Sequence, residues 1–355
     1  MKIDVHAHVF PDMRGPSGYA TAEDHLAVQQ ASLASFWGRM RSSTTEERYK
    51  PLSGEDIDFR IDRFGKYRWK KHGRDCWLQR FPSILEYPAW SPEQMLACMD
   101  EALVDIALLH TGYMEDNYCY EYYGEVVREW AGRFLATVTV NFDARANDAC
   151  LERELEKLAV SRETIDARAA FNCFPRLQPF DHPRAARFWE ALRDLGMPHI
   201  VITGFGVEAT FRRQIGELWR IAEQYPTVDL VITHLGGQIV DPGCFPSFDP
   251  VGEMLPLLRK PNVWFEVGYV LAFEDESIWN ESSRFPFPAH TNIIKRIYDH
   301  VGADRLLWQS DMPHLLRICT YKQSLELLSH HMSFLSGSEI AAITGGNASR
   351  LLRLA

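Results

Sequence analysis

Short runs of aliphatic and β-branched residues recur along the chain, separated by longer stretches with helical periodicity. The runs lie at 2–9, 104–110, 134–141, 167–173, 199–203, 228–234, 262–269 and 305–311. Continuous apolar runs bounded by turns suit strands buried on both faces of a parallel sheet. Between them, segments such as 183–195 and 211–224 repeat apolar residues at helical spacing, and two more helical patterns close the chain at about 321–334 and 337–353. Strands alternating with helices predict successive βαβ units. Eight such units predict a (β/α)8 TIM barrel, a single α/β domain over 1–355. A doubly wound open sheet is the rival, and no glycine-rich phosphate loop opens any of the helices in its favour.

Residues 11–91 break this rhythm. They separate the first run from a helix whose start is marked by Ser91, an N-cap residue, followed by Pro92. The segment is rich in aromatic side chains and carries Arg60, Arg63, Arg68 and Arg74 among them. A connection that long is improbable as a plain loop. Inserted after the first strand, it is expected over the carboxyl end of the barrel, where such barrels keep their active sites. The expectation is a cap or lid over 11–91, with a stabilising subdomain or an oligomer contact as the alternative.

Composition narrows the partners. Hydrophobic residues make up 46% and charged residues 24% of the 355, which excludes an intrinsically disordered chain. Asp and Glu number 48 against 38 Lys and Arg, a net charge of −10, and no dense basic run occurs. Neither nucleic acid nor an anionic membrane is therefore expected as a partner. No stretch approaches the ~18 uninterrupted apolar residues of a membrane span, and the first residues are polar where a signal peptide would be apolar. The seven cysteines are dispersed and never spaced C-x-x-C, which argues against a disulfide framework or zinc ribbon and for a cytoplasmic protein.

The candidate chemistry gathers at the ends of the runs. His6 and His8 flank Ala7, so on a strand both imidazoles point the same way and can share a metal ion. Left buried without a partner, both would be costly. His234 ends the sixth run and is followed by Leu235, Gly236 and Gly237, glycines that let backbone approach a ligand. Asp311 ends the eighth run, where a buried carboxylate calls for a pairing group or a cation. In a closed barrel the first and eighth strands are neighbours, so His6, His8 and Asp311 are expected together.

These residues resemble the amidohydrolase superfamily, in particular the amidohydrolase-related branch that holds aminocarboxymuconate semialdehyde decarboxylase and the resorcylate-type decarboxylases. The resemblance rests on the segment from Asp4 to His8, His234 with its glycines, the stretch from Gly302 through Asp311 to Pro313, and the closing run from Gly345 to Leu352. It implies that His6, His8 and Asp311 bind one divalent metal ion, zinc or manganese. It implies that His234 is the acid/base or substrate-polarising group and that Asp311 also handles a proton. A homodimer is implied by the resemblance alone. Two departures stand out. Ile202 occupies the place where the branch supplies a further metal-binding histidine from strand five, and His199 falls on the opposite strand face. Three protein ligands, a borrowed ligand such as Glu266 or His290, or no ion at all are the alternatives left open. The fourth run lacks lysine, so a carboxylated bridging lysine is not available and at most one ion is expected.

Trp69 of the insertion, Arg176 after the fourth run, His290 and His314 are assigned to a small carboxylic acid substrate, the arginine as a carboxylate clamp. The leading function is a metal-dependent lyase performing non-oxidative decarboxylation of a carboxylated aromatic or dienoic acid. A metal-dependent hydrolase or hydratase on the same barrel is the alternative, and a non-catalytic binding protein comes third. Fold does not separate them.

Overall fold

In the computed structural model each of the eight apolar runs contains a strand. The residues described are 1–33, 38–42, 46–49, 57–111, 121–140, 148–172, 179–203, 208–234, 249–268 and 285–354. Strand β1 spans Ile3–Ala7. The insertion then carries β2 (Gly38–Ser42), β3 (Glu46–Tyr49), β4 (Arg60–Ile61), β5 (Lys66–Lys71) and β6 (Arg74–Gln79). The remaining barrel strands are β7 (Ile106–Leu109), β8 (Phe134–Thr139), β9 (Ala167–Asn172), β10 (His199–Val201), β11 (Leu230–Ile232), β12 (Val263–Gly268) and β13 (Leu306–Gln309).

The eight-stranded sheet is parallel and runs β1-β7-β8-β9-β10-β11-β12-β13, the order of the chain. It closes beyond the ends of β1 and β13, where Asp311 N donates to His6 O and His8 N donates to Met312 O, both at 2.8 Å. The open-sheet alternative is thereby excluded. Helices Pro92–Ala102, Glu121–Glu129, Asp148–Ile165, Ala186–Leu195, Glu208–Gln224, Pro250–Leu258 and Pro288–Val301 connect successive strands. Ser91 caps the first of these in a reciprocal capping box with Gln94, a device worth about 1 kcal/mol.

Strand alternation divides the apolar residues between two packings. Leu108, Phe171, Ile200, Ile202, Val231 and Leu307 fill the barrel interior. Their neighbours, such as Ala107, Leu109, Val201, Ile232 and Trp308, pack outward under the helices. In β1 the alternation slips. The pairing with β7 shifts register between Asp4 and Ala7, so Val5 joins the interior cluster and His6, the next residue, also packs on interior Phe171. That bulge turns the imidazoles of His6 and His8 into the mouth of the barrel. At the far end of β12, a Cβ on Gly268 would collide with the Gln309 carbonyl, so only glycine lets β12 and β13 stay paired to their last residues.

The chain leaves the barrel at Phe10 and returns at Trp90, and these two residues exchange backbone hydrogen bonds of 2.8 Å. Between them lie the helix Ala22–Leu33 and a five-stranded antiparallel sheet ordered β3-β2-β6-β5-β4. Among the described residues, no helix is long and apolar enough to cross a membrane.

Candidate metal centre

Four imidazoles and two carboxylates from five different strand ends converge at the carboxyl end of the barrel. His6 and His8 come from β1, His110 follows β7, His234 follows β11, Glu266 lies on β12 and Asp311 follows β13. All are at most 6% exposed. His234 and Asp311 both hold left-handed backbone, with φ of 49° and 57°. Such conformations are costly outside glycine and recur where a side chain must be aimed at a site.

Asp311 is the hub. Its Oδ1 lies 3.1 Å from His8 Nε2 and 3.6 Å from His6 Nε2, and its Oδ2 lies 3.9 Å from His234 Nε2. The opposite nitrogens decide where a neutral ring carries its proton. His8 Nδ1 faces the backbone carbonyl of His110 at 3.2 Å, a partner that can only accept. His6 Nδ1 faces Glu266 Oε2 at 3.2 Å. Both rings therefore bear hydrogen on Nδ1 and present the Nε2 lone pair to Asp311 Oδ1. With both rings neutral, two lone pairs and a carboxylate oxygen meet within 4.8 Å of one another, with no donor between them among the described residues. That is a set of acceptors fit for a divalent cation, with the outer hydrogen bonds that orient histidine ligands already made.

Protonating an imidazole would be the other way to satisfy the cluster, and at His6 the surroundings oppose it. Burial holds the His6 imidazole well below its ordinary pKa, and the nearby imidazoles of His110, His234, His8 and His314 add to the effect. The His6 ring stacks on His110, with centroids 3.6 Å apart and planes 13° apart, and lies 4.7 Å from the His234 ring. His110 is pinned by its own Nε2, which donates to Val5 O at 3.0 Å. Burial likewise keeps His110 well below the usual histidine range. Burial pushes the Glu266 carboxyl well above the usual carboxylate range, against the hydrogen bond from Thr233.

Of the residues assigned to substrate from sequence, His314 stands at this site. It opens the 3-10 turn His314–Arg317, its ring 6.3 Å from that of His8. Burial and then the charges of Arg317 and Arg80 hold it well below its ordinary pKa, and Arg317 also bonds the backbone carbonyl of Arg80. The insertion thus reaches the barrel mouth at Arg80. Trp69 is on β5, 1% exposed in the core that also holds Tyr67 and Phe81. His290 sits in the first turn of the helix Pro288–Val301, buried and bonded to the backbone of Gly268, its pKa lowered to about 3 by burial. Arg176 and residues 235–237 after His234 lie outside the described residues. Ile202 faces the interior as an apolar side chain, and His199 packs outward between Phe188 and Trp189.

Sequence reasoning passed over His110. Its signal was available, since it ends the second run at the carboxyl end of a barrel strand, the position that carries chemistry in this architecture.

A family model described as an amidohydrolase matches residues 3–354. Among solved structures, an amidohydrolase from Burkholderia multivorans with bound zinc is 19% identical, with a TM-score of 0.59 over 75% of this chain and 89% of that one. A probable 2-pyrone-4,6-dicarboxylic acid hydrolase from Acinetobacter baumannii, with citric acid bound, is 15% identical over 99% of both chains, with a TM-score of 0.56. A dihydroxybenzoic acid decarboxylase from a Polaromonas species, with manganese and 2-nitroresorcinol bound, is 14% identical over 74% of this chain and 86% of that one, with a TM-score of 0.50. No curated protein matches this chain. At these identities the likeness is one of fold.

Proposed function

The chain belongs to the amidohydrolase family, and on that premise we propose that it is a metal-dependent lyase, removing carbon dioxide without oxidation from a carboxylated aromatic or dienoic acid. The observation that carries the reading is the buried convergence of His6 Nε2, His8 Nε2 and Asp311 Oδ1 within 4.8 Å of one another. One zinc or manganese ion held by these three residues completes the site. Bound there, such an ion would supply Lewis acidity toward an oxygen of the substrate. Metal-bearing relatives of the same fold support that choice of ion.

The chain's own groups account for the rest. In decarboxylation the bond to the carboxyl carbon breaks, its electron pair stays on the substrate carbon, and that carbon takes up a proton. His234, beside Asp311 Oδ2, is the group that holds and delivers it. His314 lies across the mouth, next to Arg80 and Arg317, on the side where an acid's carboxylate would dock. Cytoplasmic location and a homodimer belong to the same proposal.

A hydrolase is the second reading, favoured by the full-length likeness to the probable dicarboxylic acid hydrolase, which covers 99% of both chains. Incubation with carboxylated phenols and with lactones separates the two, by carbon dioxide release in the first case and acid release in the second. The metal reading is tested by elemental analysis of purified protein, with about one zinc or manganese per chain expected. Loss of that ion in His8→Ala and Asp311→Asn supports the assignment. Folded variants that keep the parent's metal content overturn it.

A further inference from the structure

The His6 ring stands between two carboxylates. Glu266 Oε2 lies 3.2 Å from its Nδ1, and Asp311 Oδ1 lies 3.6 Å from its Nε2. A neutral imidazole has one N–H and one lone pair, so it can donate to only one of them. Thr233 decides which. Its hydroxyl donates to Glu266 Oε2, which leaves the Thr233 oxygen, 3.3 Å from His6 Nδ1, able only to accept. Any proton that burial keeps on Glu266 then sits on Oε1, which has no other partner among the described residues, so Oε2 and the Thr233 oxygen both accept at Nδ1 and the ring proton belongs there.

We propose that Glu266, locked by Thr233, is a positioning residue that fixes the Nδ1–H tautomer of His6 and so presents its Nε2 to the metal ion. The inference rests on the metal reading above for its purpose, although the tautomer itself does not. It also resolves what Glu266 does in a site whose strand-five position is Ile202. Glu266 meets the ring at the nitrogen opposite the one facing Asp311, so it cannot bind the same ion and does not stand in for the missing ligand. The stacked His110 ring holds the plane of His6 while Glu266 and Thr233 hold its rotation. His6, His110 and Glu266 also bring ligand atoms within 4.8 Å of one another, which makes a second cation the rival explanation. The stacking and the tautomer argued above both stand against it. Stacked rings aim their lone pairs parallel rather than together, and a proton on His6 Nδ1 removes that donor.

The test has two readouts. In the metal-free full-length protein labelled with ¹⁵N-histidine, the ring nitrogens of His6, assigned by their absence in His6→Ala, are expected to report the Nδ1–H form. In Glu266→Ala they are expected to report a mixture. Zinc affinity is then measured by competition with a chromogenic chelator. Glu266→Ala is expected to bind 10–100-fold more weakly than the parent, the usual cost of removing a group that orients a ligand. Glu266→Gln keeps an amide oxygen to accept from Nδ1–H and should recover most of that loss. An Nε2–H tautomer in the parent, or unchanged affinity and tautomer in Glu266→Ala, overturns the proposal. So does binding of two equivalents with one lost in Glu266→Ala. Failure of the metal reading has a different signature, since Asp311→Asn would then bind zinc as tightly as the parent while the His6 tautomer still depended on Glu266.

Discussion

Replacing Ile202 with histidine tests whether the apolar residue on strand five limits the metal site. Ile202 follows the paired residues Val201 and Ile232, so it is level with Thr233, whose hydroxyl lies 3.3 Å from His6 Nδ1. Its side chain is 5% exposed among Ile200, Val231 and Phe171. Removing it forfeits about 1.5–3 kcal/mol of apolar burial. An imidazole left there without partners costs roughly 1–3 kcal/mol more. His199 shows the fate of such a ring in this protein, since neither of its nitrogens has a hydrogen-bond partner and burial lowers its pKa to about 3. A histidine at 202 is therefore neutral and carries a lone pair. The metal-free Ile202→His variant should lose roughly 2.5–6 kcal/mol of stability, the sum of those two costs. In saturating zinc a further ligand that tightens binding tenfold returns about 1.4 kcal/mol beyond the parent's own gain. Urea unfolding with zinc and with a chelator, on parent and variant, measures both quantities. Equal zinc-induced stabilisation in the two proteins would refute the placement of Ile202 at the ion's level.

Two further predictions concern turnover and closure. His234→Asn should keep the parent's metal content and lose about 10² in turnover, the scale for a positioned acid or base, and parallel loss of metal would make His234 a ligand instead. Residues 11–91 should exchange amide hydrogens more slowly when a competitive aromatic acid binds, because Arg80 already reaches His314 at the barrel mouth; unchanged exchange there would make the insertion scaffolding.

The barrel was legible because its strands are buried on both faces, which leaves unbroken aliphatic runs that nothing else in the chain imitates. His6, His8 and Asp311 were legible because the first and last strands of a closed barrel must touch. The bulge in β1 was not. Sequence alternation places Ile3, Val5 and Ala7 on one face and His6 with His8 on the other, and only the pairing with β7 shows that Val5 and His6 both turn inward. Glu266 was legible as a carboxylate near the site but not as a partner of Nδ1 rather than of the ion, because that depends on which side of a ring it meets. In the insertion, the alternation of Tyr67 and Trp69 with Lys66, Arg68 and Lys70 is the mark of a half-buried strand, and both aromatic rings are 1% exposed.

What holds the site in shape lies partly outside the barrel. Asp4, one bulge away from His6, points outward and is fully buried. It accepts hydrogen bonds from Ser310 N at 3.0 Å and Ser310 Oγ at 2.5 Å, from Tyr321 OH at 3.0 Å and from His6 N at 3.2 Å. One carboxylate therefore binds the first strand, the residue before Asp311, and the helix Tyr321–His331 together. Left-handed backbone at Asp311 costs roughly 1–2 kcal/mol and persists only where the surroundings overdetermine it. The bonds through Ser310 and from Asp311 N to His6 O supply that constraint. The spacing between the two histidines and the aspartate is thus set by a seam whose polar groups face away from the substrate. Changes at Asp4 or Tyr321 would reach the metal through the backbone without touching it.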